Sequence, residues 1–295
     1  MPLSYWQSIA LSITQATGHA FSIQHHTAVS GGSINRAYRI EDKNRSYFVK
    51  LNRANRLAMF EGEAAGLSEL ASADAIRIPE VICLGQAADQ SWLVTEYIAF
   101  GRACSDSMQE LGRQMAALHR CTNDQFGWNR DNTIGLTEQY NQQSDEWVDF
   151  FREQRLRFQF ELAARNGFKG SLQTKGERLM DGLGAFFTSH DPQPSLLHGD
   201  LWGGNRAFDN KGTPVIFDPA VYYGDREADI AMTELFGGFS SEFYDAYREV
   251  WLMDDGYGVR KTLYNLYHIL NHANLFGGSY ACQAESMIDQ LLAEF

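Results

Sequence analysis

The stretch Leu196–Ala220 reads LLHGDLWGGNRAFDNKGTPVIFDPA. It holds His198, Gly199 and Asp200, then Asn205 in a D-x4-N spacing, then Asp218 at the end of the apolar run Pro214–Phe217. Arg206–Phe208 and Pro214–Phe217 flank Asp209-Asn210-Lys211-Gly212, a turn sequence between two β-forming runs, which predicts a hairpin. Taken singly, Asp200 and Asn205 also suit ordinary turns. Their order gives them meaning: a carboxylate, an amide and a second carboxylate spaced around one hairpin. Carboxylate and amide oxygens are hard donors, the type that Mg²⁺ prefers.

The rest of the chain limits what such a constellation can serve. The 295 residues carry 25 basic and 37 acidic side chains, a net charge of −12, and 44% are hydrophobic. That composition fits a globular chain and excludes disorder, and the length allows two modest domains. The acidic balance argues against a nucleic-acid footprint but leaves room for a nucleotide in a local positive pocket. No apolar run reaches membrane-spanning length, and Met1–Thr17 lacks a basic segment followed by an apolar one, so neither a membrane partner nor a secretory signal is expected. Cys83, Cys104, Cys121 and Cys282 form no C-x-x-C pair, which predicts reduced thiols in a cytoplasmic protein. A monomer or homodimer is expected.

Upstream, Ala37–Ile40 and Tyr47–Leu51 are β-forming runs around the turn Glu41–Arg45. In the second run Tyr47, Val49 and Leu51 share one face, and Phe48 and Lys50 the other. Phe60, Ala64, Leu67 and Ala71 recur at helical spacing. Val81–Leu84 and Trp92–Thr95 read as a further strand pair with Gly85–Gln90 as the turn. Beyond Gly101 helices take over. Met108, Leu111, Met115 and Leu118 form one stripe, and Trp147, Phe150, Phe151, Phe158 and Leu162 another. The second has Ser144 as expected N-cap and Asn166-Gly167 as C-cap. Leu263, Leu266, Tyr267 and Leu270 mark a late helix. The expected fold is α+β and bilobal: a strand-rich lobe over residues 1–100 and a mainly helical lobe over 101–295 that carries the hairpin.

In that frame the motif matches the catalytic loop and metal-binding Asp of kinases, which transfer phosphoryl groups. That chemistry needs a carboxylate to orient an attacking hydroxyl and accept its proton, a role that suits Asp200. It needs oxygen ligands for Mg²⁺, which suits Asn205 and Asp218. Gly31, Gly32 and Ser33 form a turn whose backbone N–H groups would approach the phosphates of ATP. Lys50 would pair with those phosphates, held by Glu63 on the following helix, with Glu61 as the other candidate on a different helix face. Glu96, Tyr97 and Ile98 follow the last strand, where a hinge would offer backbone hydrogen bonds to adenine. Each signal alone is weak, since a lone strand Lys is ordinarily solvated; the weight lies in their order.

His198-Gly199-Asp200 resembles the aminoglycoside and choline kinase branch of the protein-kinase-like fold, with Asp218-Pro219-Ala220 where protein kinases have D-F-G. HGDLWGGN (198–205), IFDPA (216–220), YYGDREADIAM (222–232), NLFGGSY (274–280), FVKLN (48–52) and MFEGEAAGL (59–67) are more narrowly similar to the fructosamine kinase, or ketosamine kinase, family. The similarity spans almost the whole chain. It implies an ATP- and Mg²⁺-dependent kinase that phosphorylates a sugar hydroxyl of ketosamines, free or on glycated proteins, and so promotes deglycation. By position it implies Lys50 and Glu63 as the ATP-positioning pair, Asp200 as base, and Asn205 and Asp218 as Mg²⁺ ligands. Some members have a cysteine in the glycine loop that permits a redox switch; here Ser33 stands in SGGSIN, and no such switch is expected.

The acceptor side is less specified. Trp202 offers a flat ring for a sugar or amine, or packs between lobes. Asp225 or Arg226 is a candidate acceptor contact, and Asp229 a brace for the catalytic loop. Asn271, His272 and Asn274 either line an acceptor pocket or are satisfied core polar groups. His119 ends a helix and is expected to meet its dipole. Two alternatives are a small-alcohol kinase of the aminoglycoside or choline type, and a non-catalytic pseudokinase.

Overall fold

The structure, a computed structural model, describes residues 4–30 and 34–294. The chain divides into two compact units, Met1–Ser107 with Gly204–Pro219, and Met108–Gly203 with Ala220–Phe295. The first begins with α1 (Tyr5–Thr17), β1 (His25–Val29), β2 (Arg36–Glu41), β3 (Ser46–Arg53), α2 (Leu57–Ser72), β4 (Val81–Ala87) and β5 (Gln90–Glu96). The second holds α3 (Ser107–His119), β6 (Asn132–Ile134), β7 (Thr137–Gln139), α4 (Trp147–Phe150), α5 (Phe158–Arg165), α6 (Ser171–Asp181) and β8 (Ser195–Leu197). The chain returns to the first unit as the hairpin β9 (Arg206–Phe208) and β10 (Pro214–Ile216). It ends in the second with β11 (Tyr222–Gly224), α7 (Glu227–Leu235), α8 (Ser241–Val250), α9 (Tyr257–Phe276) and α10 (Tyr280–Leu292). Among the described residues no helix is long and apolar enough to cross a membrane.

The first unit is built on an antiparallel sheet ordered β1-β2-β3-β5-β4. Strand alternation decides its two faces. Tyr47, Val49 and Leu51 of β3 join Trp92 and Val94 of β5, Ile9 and Ile13 of α1, Phe21 and Ile40 in one buried cluster. Lys50 therefore points to the opposite face. α1 starts on a capping box between Ser4 and Gln7 and stops on Gly18, whose φ of 71° suits glycine. Neither α1 nor β1 stands out in the sequence pattern. β1 is exposed at every position, so burial imposes no alternation on its HHTAV sequence.

Other expectations shift for local reasons. β4 and β5 run further than expected, and the connection shrinks to Ala88-Asp89, with Ala88 at a left-handed φ of 53°. Ser144 is not the helix cap: Phe126 and Ser144 form a β-bridge, Ser144 Oγ accepts from the Glu146 N–H at 3.2 Å, and α4 begins at Trp147. The helix beyond it passes through a π-helical stretch, Phe151–Arg157, before α5. The hairpin expected in the helical lobe clusters with the first unit. Arg77 reaches it by a bridge to Val215 and an ion pair with Asp209 at 2.8 Å, and Phe100 stacks on Phe217 at 5.4 Å. Such contacts join residues more than a hundred positions apart, which periodicity cannot register.

Because Ile13 is fully buried between α1 and the sheet, Ile13→Ala should lower stability by about 2–5 kcal/mol. Denaturant unfolding monitored at the first unit measures this; a change below about 1 kcal/mol would mean that α1 contributes little to that core.

Candidate active site

In the first unit, buried Lys50 lies at the centre of an ionic cluster that opens at Asp218, whose side chain is 44% exposed. Its Nζ donates to Glu63 Oε1 at 2.5 Å and to Asp218 Oδ1 at 2.6 Å. β3 supplies the Lys, α2 the Glu and the strand-end turn after β10 the Asp, so three segments converge on one ammonium. Glu63, not Glu61, is the partner. Burial alone would push the Lys50 pKa down, but Asp218 and Glu63 outweigh it and hold the ammonium well above its usual range. Burial lifts the Glu63 carboxyl; Lys50 opposes this and Asp218 adds to it. Two carboxylates thus share a single cation.

Asp218 has φ 59°, a left-handed conformation costly for a residue with a Cβ. The hairpin enforces it: the Phe217 N–H donates to the Asn205 carbonyl at 3.0 Å, and Asn205 Nδ2 approaches the Asp218 carbonyl at 3.4 Å. Asn205 and Asp218 therefore stand side by side at the base of the hairpin. At the end of β5, the Glu96 side chain accepts from Arg77 and from the Glu80 N–H, each at 3.2 Å, and Arg39 lies over the Tyr97 ring at 4.6 Å. The Glu96 N–H is bound to the Glu80 carbonyl, and Ile98 is buried. Gly31, Gly32 and Ser33 lie outside the described residues.

In the second unit, the loop carrying Asp200 is held from below. Asp229 on α7 accepts from the N–H groups of His198 at 2.7 Å and Gly199 at 2.8 Å, and contacts His119 Nε2 at 3.2 Å. Burial raises the Asp229 pKa, but the His119 hydrogen bond and charge, with the loop's own donors, bring it below the usual carboxylate value. Gly199 has φ 80°, and a Cβ there would meet the Ala220 carbonyl oxygen at 2.0 Å, so only glycine fits. The Ala220 N–H in turn donates to the His198 carbonyl at 2.9 Å. Gln139 holds the Ala220 carbonyl at 3.0 Å, and Asn132 holds that of Val221 at 2.8 Å. His198 is fully buried and its Nδ1 meets the Asp200 N–H at 3.3 Å, a role in loop geometry. Trp202 is partly exposed, and its N–H donates to the Asp200 carbonyl at 3.2 Å.

Residues 5–294 match the family described as fructosamine kinase. The chain belongs to the fructosamine kinase family. It is 49% identical over 288 residues to a probable ketoamine kinase of Synechocystis, covering 97% of each chain. It is 42% identical over 278 residues to the chloroplastic protein-ribulosamine 3-kinase of Arabidopsis thaliana, covering 93% of this chain and 85% of that one. A crystal structure from Haemophilus somnus assigned to the fructosamine-3-kinases superposes with TM-score 0.89 at 30% identity, covering 97% of both chains. An aminoglycoside phosphotransferase shares the fold at 16% identity, with TM-score 0.64. The protein-kinase-like, mixed α+β architecture is thus that of its relatives.

Within this fructosamine kinase family fold, several polar residues are committed to packing. Asp225 and Arg226, the candidate acceptor contacts, are buried, and their side chains bond groups of the second unit. Arg226 donates to the Leu252 carbonyl at 2.5 Å and lies 4.3 Å from the Trp251 ring centroid. Asp225 caps α7 through the Glu227 N–H at 3.0 Å, and accepts from Tyr264 and, at 2.6 Å, from His190 Nε2. His119, in the last turn of α3 as expected, also bonds Tyr247 at 2.8 Å and Asp229 at 3.2 Å. Asn271 and Asn274 pair with Gln159, at 3.3 and 2.8 Å, which is the satisfied-core alternative for both.

His190 was not foreseen; it lies in a loop with only Ser, Asp and Pro around it. Its Nδ1 meets Asp254 at 2.5 Å while its Nε2 meets Asp225, so both ring nitrogens face carboxylate oxygens. Carboxylates accept only, so the imidazolium form alone satisfies both. His190, Asp225 and Glu227 bring ligand atoms within 4.8 Å of one another. Arg260, however, forks Glu227 at 2.7 and 3.0 Å, so guanidinium and imidazolium supply the positive charge. Burial works against the charged ring, but Asp225, then Glu227, raise its pKa above 6.5 despite Arg260. A raised folded value means that the clasp's full contribution is present below about 6.5 and is lost as pH rises through the folded value. Thermal melts from about pH 6 to about pH 9 should therefore show the wild type losing stability with a slope that His190→Gln flattens. Equal slopes in both proteins would rule out a charged clasp.

Proposed function

We propose that the chain is an ATP-dependent kinase that phosphorylates a sugar hydroxyl of ketosamines, with protein deglycation as the outcome. The observation that carries this reading is the Lys50 ammonium shared by Glu63 and Asp218 beside Asn205. Family membership and relatives named for ketoamine and ribulosamine phosphorylation support the acceptor class.

In this reading Lys50 offers its charge to the ATP phosphates and Glu63 keeps its side chain extended toward them. The backbone of Glu96, Tyr97 and Ile98 meets adenine, and Gly31, Gly32 and Ser33 meet the phosphates. The Glu96 N–H is bound to the Glu80 carbonyl, and its own carbonyl accepts from the Thr95 hydroxyl at 3.2 Å, which leaves that oxygen a second lone pair for this contact. Asp200 orients the acceptor hydroxyl and takes its proton on a carboxylate oxygen as the hydroxyl oxygen bonds the γ-phosphorus and the bond to the β–γ bridging oxygen breaks, with ADP as the leaving group. Positioning and charge supply the rate, since phosphoryl transfer asks for little covalent work from the protein. The ring of Trp202 supports the sugar.

The donor set fits Mg²⁺. Two carboxylates against one ammonium leave negative charge in excess, and the amide oxygen of Asn205 adds a hard ligand. Asn205 and Asp218 would hold the ion, which would neutralise charge on the phosphates.

Asp200→Ala should abolish Mg-ATP turnover on ribulosyl-amine and fructosyl-amine substrates while nucleotide binding by calorimetry persists. Turnover near wild type would remove Asp200 from the base role. Asp218→Ala should weaken Mg-ATP engagement; an unchanged metal titration of activity would overturn its ligand role. Wild-type phosphorylation of an aminoglycoside or choline, and of neither ketosamine, would favour the small-alcohol alternative.

A further inference from the structure

Among the described residues nine large apolar side chains are exposed, and three of them are linked by ring contacts in the second unit. Trp202 is 38% exposed, Phe236 41% and Phe276 59%. They are not scattered. The Trp202 and Phe236 rings meet edge-on at 6.4 Å, Phe236 meets His272 at 5.0 Å, and His272 meets Phe276 at 5.6 Å and Tyr280 at 5.2 Å. Together they form an aromatic strip that starts two residues past Asp200 and runs over α9 to the start of α10.

The strip is rigidly built. A Cβ on Gly203 would lie 3.0 Å from the Gly237 carbonyl oxygen and 3.2 Å from Gly238 Cα, so the catalytic-loop backbone packs directly on the turn after Phe236. Gly237 and Gly238 take φ of 72° and 95° to allow it. His272 Nδ1 donates to the His268 carbonyl at 2.8 Å, which fixes its ring between Phe236 and Phe276. Monomeric proteins seldom expose contiguous apolar surface without a partner for it.

The kinase reading, on which this inference rests, supplies that partner's chemistry. A ketosamine joins the sugar through a secondary amine to an aglycone. With the sugar hydroxyl at Asp200, an aglycone that passes Trp202, two residues along the same loop, meets this strip. On a glycated protein it is a lysyl stem, four methylenes and a cationic amine, followed by polypeptide. Methylenes pack on aromatic faces, and an ammonium is attracted to them. The net charge of −12 favours a cationic approach. We infer that the strip from Trp202 through Phe236 and His272 to Phe276 and Tyr280 binds the lysyl stem and flanking peptide of a protein-borne adduct. The enzyme thereby distinguishes adducts on polypeptides from adducts on small amines.

The test compares two acceptors: a ribulosyl adduct of ethanolamine and the same sugar on the lysine of a short basic peptide. Phe276→Ser and Phe236→Ser should each raise KM for the peptide by ~5-fold or more, with kcat retained, as expected for removing an aromatic anchor. KM for the ethanolamine adduct should change by less than ~2-fold, because no stem reaches the altered rings. Equal losses on both acceptors, or no loss on the peptide, would overturn the inference. If wild-type protein phosphorylates neither acceptor while binding ATP, the ketosamine reading itself fails, an outcome that the paired acceptors separate from failure of the strip.

Discussion

One ammonium and two carboxylates organise the first unit. Lys50 can reach Glu63 and Asp218 only if the face of β3, the rotation of α2 and the turn after β10 are all correct. A buried ion pair is weak evidence of net stability, because desolvation offsets most of its attraction. Removing Lys50 is another matter, since it leaves the two carboxylates facing each other with no cation between them. The cluster therefore acts as a constraint on register. A one-residue slip of β3 would send Lys50 into the apolar cluster under α1 and break the arrangement. The cluster also leaves one carboxylate in excess over the ammonium.

The second unit applies a different constraint, exerted through the backbone. The loop holding Asp200 is short and irregular, so its N–H groups need partners. Asp229 supplies them from the first turns of α7, and Gly199 allows the Ala220 strand to approach where a Cβ would collide. α7 is itself anchored by Asp225 and Glu227, through His190, Tyr264 and Arg260. The geometry of the Asp200 loop thus rests on buried charges. Asp225 and Arg226, polar and close in sequence to Asp218, are likewise hydrogen-bonded within the second unit.

Legibility in the sequence followed locality. The hairpin around Asp209-Asn210 and the alternation in β3 are short-range patterns, and they matched; the α2 stripe matched at Phe60, Ala64 and Leu67, while Ala71 is exposed and Leu70 is buried in its place. Ser144 misled because a β-bridge to Phe126 overrides its capping preference. The hairpin at 206–216 was legible as a hairpin, but not as part of the first unit, because Arg77 and Phe100 hold it from afar. His190 gave no signal: a histidine in a Pro- and Ser-containing loop looks solvated until two distant carboxylates close on it.

The sequence by itself determined which groups are available. The types and order of Lys50, Glu63, Asp200, Asn205 and Asp218 are covalent facts, and the motifs that hold them mark the fructosamine kinase family. Tertiary structure alone decided which acid pairs with Lys50 and that Asp225 and Arg226 are buried. It also gathered Trp202, Phe236 and Phe276 into one surface. Each of these depends on groups far apart in the chain being desolvated together, and desolvation is set by the fold, not by neighbours in sequence.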